Sequence, residues 1–156
     1  MPGELEAIRR EAAQNHDKYL RALAESENMR KRLERLCDDR LWQEKKRLLQ
    51  HFLELADQLE DALKYASGNT PLEQGVRLTY QQLLKTLDQE GVKPLRSVGE
   101  VFDPSVHEAV ELGESAGREN TVTEEYRKGY TLDGRLLRAA RVQVASSRPK
   151  QTPEES

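Results

Sequence analysis

The side chains most able to do chemistry in this sequence are three histidines and one cysteine. His16, His51 and His107 have no partners at metal-ligand spacing, and Cys37 stands alone. Isolated histidines are usually solvated or packed, and a single thiol in a charged helical pattern is usually a bystander in a reducing compartment. No phosphate-binding glycine loop or nucleophile elbow occurs. We therefore expect no enzyme activity, no catalytic residue, no metal and no cofactor.

The charge pattern also excludes some classes of partner. Twenty-five Lys and Arg residues face 28 Asp and Glu residues, and the two signs interleave along the chain. Nothing indicates a nucleic-acid or membrane partner, and no secretory signal or long apolar run occurs. A cytoplasmic protein is expected. The strongest basic patch, Arg30-Lys31-Arg32 with Arg35, fits the charged outer face of a paired helix or a contact with an acidic protein.

Helices and strands must position any binding residues, and the distribution of glycine and proline shows where these elements are divided. None of either occurs between Glu4 and Ser67, and this stretch is rich in strong helix formers. We predict one long helix over residues 4–66. Taking Leu5 as position a, the a and d positions are Leu5, Ile8, Ala12, Asn15, Tyr19, Ala22, Ser26, Met29, Leu33 and Leu36. This is a coiled-coil seam weakened by polar residues, and Arg40 and Gln43 continue it.

A wider apolar stripe resumes after Trp42. Its members are Leu49, Phe52, Ala56, Leu59, Leu63 and Ala66, widened by Leu48, Leu53 and Leu55. A broad stripe favours a bundle of more than two helices, and a helix cannot bury its own stripe. We therefore predict a homodimer with a four-helix bundle. The predicted dimerisation residues are Leu5, Ile8, Tyr19, Met29, Leu33, Leu36, Leu49, Phe52, Leu59, Leu63, Val76 and Leu83.

A second helix is predicted over residues 70–90. Thr70 provides the N-cap, Pro71 occupies N1, Glu73 completes a capping box, and Gly91 ends the helix. Gly75 is unfavourable inside a helix, and two explanations stay open: close approach of another backbone, or tolerance near the first turn.

The remaining sequence changes to a β pattern. Val106 to Leu112 alternates, Thr121 to Leu132 is rich in β-branched and aromatic residues, and Asp133-Gly134 predicts a type I′ hairpin before Arg135 to Val144. We predict a small all-β wing over residues 92–146 and a flexible tail over 147–156. The fold class is α+β.

Four segments, in order, resemble the GrpE family, the nucleotide exchange factors of Hsp70 (DnaK) chaperones. They are Tyr19-Leu-Arg-Ala-Leu-Ala-Glu-Ser-Glu-Asn-Met-Arg-Lys-Arg32, Asp57-Gln-Leu-Glu-Asp-Ala-Leu63, Phe102-Asp-Pro-Ser-Val-His-Glu-Ala-Val110 and the signature Tyr126-Arg-Lys-Gly-Tyr-Thr-Leu-Asp-Gly-Arg-Leu-Leu-Arg-Ala-Ala-Arg-Val-Gln-Val144. The resemblance implies a parallel pair of long helices, a dimeric four-helix bundle and a carboxyl-terminal β wing.

The resemblance also implies a mechanism. The wing and nearby helix would bind the Hsp70 ATPase domain and hold its nucleotide cleft open, so that ADP leaves. The implied contact residues are Arg135, Phe102, Pro104, Tyr126, Val144, Gly75 and Arg30. Phe102 and Val144 are equally residue types that pack inside a wing.

Two expectations and one alternative complete the hypothesis. Because Asn15, Ser26, Arg40 and Gln43 weaken the seam, reversible melting of the long helices could act as a thermosensor. Many family members carry an acidic amino-terminal extension before the helix, and functions attributed to it are not expected here. The alternative is a coiled-coil scaffold or adaptor whose β module binds an unrelated protein.

Overall fold

A computed structural model of the chain describes residues 2–114 and 118–146. Helix α1 spans Pro2–Lys64 and helix α2 spans Pro71–Gln89. The strands are β1 (Val92–Pro94), β2 (His107–Glu114), β3 (Val122–Arg127), β4 (Tyr130–Leu132), β5 (Arg135–Arg138) and β6 (Ala140–Ser146). The predicted α+β class is confirmed: a long helix, a second helix and then a β region. The tail predicted over 147–156 lies outside the described residues.

The chain divides into two compact units, residues 1–45 and residues 46–156. In the first unit, the described residues are helical throughout and almost every side chain is exposed. Six large side chains at its predicted a and d positions are 52–64% exposed: Leu5, Ile8, Tyr19, Met29, Leu33 and Leu36. A row of exposed apolar side chains at heptad spacing is typical of a helix that packs against a partner helix.

In the second unit, the apolar stripe of α1 separates into two faces. Leu49, Leu53 and Ala56 are buried, while Leu48, Phe52 and Leu55, each one position earlier, are exposed. Residues one position apart differ by about 100° around a helix. The stripe is broad because the face formed by Leu49, Leu53 and Ala56 packs inside the chain. The sequence alone attributes this whole width to a bundle of more than two helices.

A core that we call the helix–hairpin core joins α1 and α2 to the first strands. It consists of Leu49, Leu53, Leu87, Val92, Tyr130, Leu132 and Leu137, with Leu83 packed against it. Each fully buried leucine contributes about 1.5–3 kcal/mol relative to an exposed one. Burial of this size accounts for the docking of the β region on the helices of this unit.

Helix α2 has the predicted N-cap and the predicted glycine at its end, but Glu73 Oε2 has no hydrogen-bond partner among the described residues and does not complete the capping box. The Thr70 hydroxyl accepts a hydrogen bond from the Glu73 N–H at 3.2 Å, and Pro71 occupies the first helical position. At the other end, Gly91 has a φ of 88° and its N–H donates to the Asp88 carbonyl. A positive φ at this position ends the helix at little cost only when the residue is glycine.

The strands form two three-stranded sheets, in the orders β1-β4-β5 and β2-β6-β3. In the first sheet all neighbours are antiparallel. In the second, β6 is central and pairs antiparallel with β3 but parallel with β2, which has a bulge between Ala109 and Glu111. Its core, the sheet core, consists of Val122, Ala140, Val142 and Val144, with Phe102 packed against them. Neither described helix is long and apolar enough to cross a membrane.

Candidate partner interface

The hairpin of the signature segment presents Arg135 at the surface. Asp133 and Gly134 have φ values of 49° and 83°, the two positive values that a type I′ turn requires. The turn joins β4 to β5, where Leu132 pairs with Arg135. Arg135 is exposed. The predicted hairpin is confirmed, and it places an arginine where a partner could reach it.

Tyr126 lies on β3 and reaches across the central strand of its sheet. Its hydroxyl donates to Glu111 Oε2 on β2 at 2.6 Å, and 43% of the residue is exposed. The hydrogen bond to the Glu111 carboxylate raises the pKa of Tyr126 to about 12. The ring is therefore held in one orientation on the surface, which is favourable for an aromatic contact residue.

The Phe-Asp-Pro turn is organised by its own hydrogen bonds. The Asp103 carboxylate accepts from the Ser105 hydroxyl and the Ser105 N–H, and these bonds lower the pKa of Asp103. The Asp103 N–H donates to Nδ1 of His107, a buried residue whose ring stacks on Phe102 with centroids 6.0 Å apart. Pro104 is exposed and Phe102 is half-buried. Pro104 can meet a partner directly, whereas Phe102 supports the turn from the sheet core.

Val144 lies in the sheet core and is only 4% exposed. It occupies the central strand β6, opposite Val122 of β3 and Leu112 of β2. Its position favours a packing role over a direct contact, while the neighbouring Leu112 is exposed.

Gly75 and Arg30 lie on helices, and each is exposed. A methyl group added to Gly75 would have no atom of this chain within 4 Å, so nothing described in the chain requires glycine there. Arg30 makes ion pairs with Glu27 and Glu34, and the bond to Glu27 raises the pKa of Arg30. A partner that binds Arg30 must compete with these two carboxylates.

The predicted dimerisation residues differ in how much of their surface is available. Those of the first unit are exposed, as is Phe52, while Leu59, Leu63, Val76 and Leu83 are half-buried. Leu49 is only 7% exposed, because it belongs to the helix–hairpin core. The packing therefore favours Phe52 over Leu49 as a contact across a dimer.

A partly buried ion pair between α1 and β5 has no role in the predictions made from the sequence. Arg138 donates to both carboxylate oxygens of Asp57, at 2.6 and 2.9 Å, and twice to the Lys128 carbonyl, at 3.0 and 2.6 Å. Its guanidinium lies over the Tyr130 ring, 5.5 Å from the centroid. We call Asp57, Arg138 and the Lys128 carbonyl the polar clamp. Both charged residues lie in segments that carry the family resemblance, but no local pattern pairs residues so far apart in the chain.

Lys128 extends this polar group along α1. Its ammonium lies 3.5 Å from Glu60 Oε1. Burial acts to lower the pKa of Lys128, but interactions with Tyr80 and Glu60 outweigh it and the pKa is raised. Burial also raises the pKa of Tyr80. Lysine is therefore fully charged here at neutral pH and ties the end of β3 to the helices.

A cleft of about 270 Å³ adjoins the clamp and is lined by both signs of charge. Its lining residues are Asp57, Glu60, Asp61, Lys64, Glu125, Tyr126, Arg127, Lys128 and Arg141. The cleft contains no histidine, cysteine or serine that could act as a nucleophile. Within residues 2–114 and 118–146, no group of three or more His, Cys, Asp and Glu side chains could hold a metal ion. The cleft shares Tyr126 with the exposed surface of the wing.

Comparison with known proteins gives consistent matches along the chain. The GrpE family model matches residues 2–146. Protein GrpE of Syntrophobacter fumaroxidans is 41% identical over 141 residues, which cover 88% of this chain and 75% of that protein. Protein GrpE of Protochlamydia amoebophila is 37% identical, covering 92% of this chain and 71% of the relative. Protein GrpE of Vibrio cholerae is 40% identical, covering 85% and 68%.

Proposed function

This chain belongs to the GrpE family, and on that basis we propose that it is a co-chaperone of Hsp70 (DnaK) that accelerates nucleotide exchange. The observation that carries the proposal is the family match over residues 2–146, which includes every candidate contact residue. The protein binds the Hsp70 ATPase domain as a homodimer in the cytoplasm and carries out no covalent chemistry.

The contact surface in this proposal lies on the β wing. Arg135, Tyr126 and Pro104 are exposed there, on the hairpin, on β3 and on the Phe-Asp-Pro turn. Aromatic and arginine side chains dominate the energetics of many protein interfaces. Phe102 and Val144 support this surface from the sheet core, and Gly75 adds a point on α2 where a partner backbone can approach closely. Arg30 is proposed as a separate contact from the first unit.

The mechanism requires differential binding and no reacting group. Hsp70 with an open nucleotide cleft is a minor conformer, and a protein that binds this conformer more tightly increases its population. If opening costs a few kcal/mol, contacts present only in the open form must supply at least that much. Binding energy at the wing is thereby converted into faster ADP release.

Dimerisation is supported by the exposed apolar residues of the first unit. Leu5, Ile8, Met29, Leu33 and Leu36 are exposed along one heptad seam. A helix with this seam is marginal in isolation, because it buries nothing against itself. In the proposed dimer, two chains bury their seams against each other, and α1 and α2 of both chains contribute to a bundle.

The decisive test measures release of a fluorescent ADP analogue from Hsp70 after a chase with unlabelled ATP. We expect the protein to increase the release rate in a saturable manner, and sedimentation to give a dimer. The Arg135→Ala variant is the matched control, since it removes one exposed contact of the wing. A wild-type protein that leaves the release rate unchanged would contradict the proposal and favour a coiled-coil scaffold with another partner.

A further inference from the structure

The polar clamp joins α1 of the second unit to the hairpin that carries the proposed contact residue Arg135. Asp57 lies on α1, whereas Arg138 ends β5, the strand that begins with Arg135. The Arg138 side chain is 7% exposed and that of Asp57 is 26% exposed. A planar guanidinium bound to both carboxylate oxygens permits only a narrow range of relative orientations.

Further hydrogen bonds act at the same junction. The Gln50 side-chain amide donates to the Leu137 carbonyl at 3.0 Å, and Arg138 binds the carbonyl of Lys128 between β3 and β4. Gly129 follows directly, and a methyl group there would lie 2.6 Å from the Ala140 nitrogen. The hairpin and the end of β3 are therefore tied to α1 by directional contacts as well as by apolar packing.

Stability alone does not explain the clamp. The desolvation of the buried Arg138 guanidinium and the half-buried Asp57 carboxylate offsets much of their attraction, and apolar residues of similar volume are often equally stable or more stable. The apolar residues of the helix–hairpin core, which include Leu53 of α1 and Leu137 of β5, already hold the parts together. The bidentate pair between Arg138 and Asp57 restricts the relative orientation of the hairpin and α1. Apolar contacts tolerate small rotations that a bidentate pair does not.

We propose that Asp57 and Arg138 are positioning residues for nucleotide exchange, which set the orientation of the β4–β5 hairpin relative to α1 and α2. This inference rests on the proposed function. The hairpin carries Arg135 and α2 carries Gly75. If these two contact sites are held in a fixed relative orientation, the protein binds best to the Hsp70 conformer that matches this orientation. If the hairpin can rotate, the protein binds open and closed forms alike, and equal affinity for two states shifts neither population.

The clamp therefore affects the maximal exchange rate more than the affinity. The test is the double variant Asp57→Leu with Arg138→Met, which removes the directional contacts while retaining side-chain volume. We expect an unchanged dimer, a folded protein whose melting temperature is only slightly lower because the Lys128 carbonyl loses its donor, and affinity for Hsp70 within about twofold of the wild type. At saturating protein, ADP release is expected to be about tenfold slower, since the bias towards the open form is lost.

The matched control is the double variant Asp88→Asn with Lys93→Gln. This pair also joins a helix to a strand in the same unit, but both side chains are more than 60% exposed. We expect no change in affinity or maximal rate, because exposed pairs contribute little.

Each other outcome overturns the inference in a recognisable way. A double variant with wild-type release at saturation shows that the clamp is only structural, while the proposed function stands. If the double variant loses affinity for Hsp70 in proportion to its loss of ADP release rate, Asp57 and Arg138 contribute to binding and not to positioning. Wild-type protein without any effect on release removes the proposed function itself. If circular dichroism shows that the double variant is unfolded, the Arg138→Lys variant replaces it. This variant keeps the positive charge but loses the bidentate contact, and its ADP release rate and affinity are compared in the same way.

Discussion

Gly91 lies directly against Asp133, where the end of α2 meets the β4–β5 hairpin. The Asp133 N–H donates to the Gly91 carbonyl at 3.1 Å, and a methyl group on Gly91 would lie 2.1 Å from Asp133 Oδ1. Gly91 also has a φ of 88°, a backbone conformation that strains any larger residue, whereas the exposed Asp133 carboxylate can turn aside. The residue that ends the helix thus also seats the hairpin that carries Arg135.

Gly91 and Gly75 should respond in opposite ways to alanine. Gly91→Ala is expected to destabilise the second unit by roughly 1–3 kcal/mol, because alanine is strained at a positive φ. Gly75→Ala should stabilise α2 by about 1 kcal/mol, since the added methyl group meets nothing within 4 Å. Urea unfolding monitored by circular dichroism measures both. A destabilised Gly75→Ala protein would show that the site is crowded in the dimer.

The Tyr126–Glu111 hydrogen bond should be visible in an alkaline titration. The pKa of Tyr126 is raised from 10.0 to about 12, chiefly because Glu111 accepts a hydrogen bond from the protonated phenol. Stabilisation from this bond is complete below pH 10 and is lost as the pH rises towards 12. The difference in phenolate absorbance between wild type and Tyr126→Phe isolates this residue. Glu111→Gln should lower the pKa, and a midpoint that does not move would exclude the bond.

Local sequence chemistry was sufficient for the elements that depend on neighbouring residues. Thr70 and Pro71 specify the start of α2, and Asp133-Gly134 specifies the hairpin, since each signal involves residues at most three positions apart. The family was predicted from the resemblance of four segments, and the comparisons confirm it.

Non-local contacts could not be predicted in this way. The parallel pairing of β2 with β6 joins segments more than 30 residues apart, and Asp57 is 81 residues from Arg138. The width of the α1 stripe was likewise ambiguous, because an apolar residue at Leu49 packs equally well on a sheet or on another helix. Burial of Val144 depends on β6 being the central strand, which only the sheet order reveals.

Arg135→Ala should weaken binding to Hsp70 while leaving the dimer and the fold intact. Arg135 is exposed on the hairpin, and truncation of an interface arginine typically costs about 1–2 kcal/mol or more. Isothermal titration with the Hsp70 ATPase domain measures the loss, and sedimentation checks the dimer. Arg141→Ala is the control, an exposed arginine on β6 paired with Glu108. Equal affinity of wild type and Arg135→Ala would remove Arg135 from the contact surface.

Heating should melt the paired helices of the first unit before the second unit unfolds. The polar residues Asn15 and Ser26 weaken the seam, whereas the second unit has the helix–hairpin core and the sheet core. Calorimetry is expected to show two transitions, the lower one reversible and accompanied by loss of helical circular dichroism. Replacing Asn15 and Ser26 with leucine should raise the lower transition by several degrees and leave the upper one unchanged.

The control for this melting experiment is Gln14→Leu, the same kind of substitution placed off the seam. It should leave both transitions where they are, because position 14 does not face a partner helix in the proposed pair. If the lower transition also reduces the ADP release rate reversibly, the long helices act as a thermosensor for the exchange factor. One cooperative transition that includes both helix and wing would contradict this, since the two units would then unfold as one.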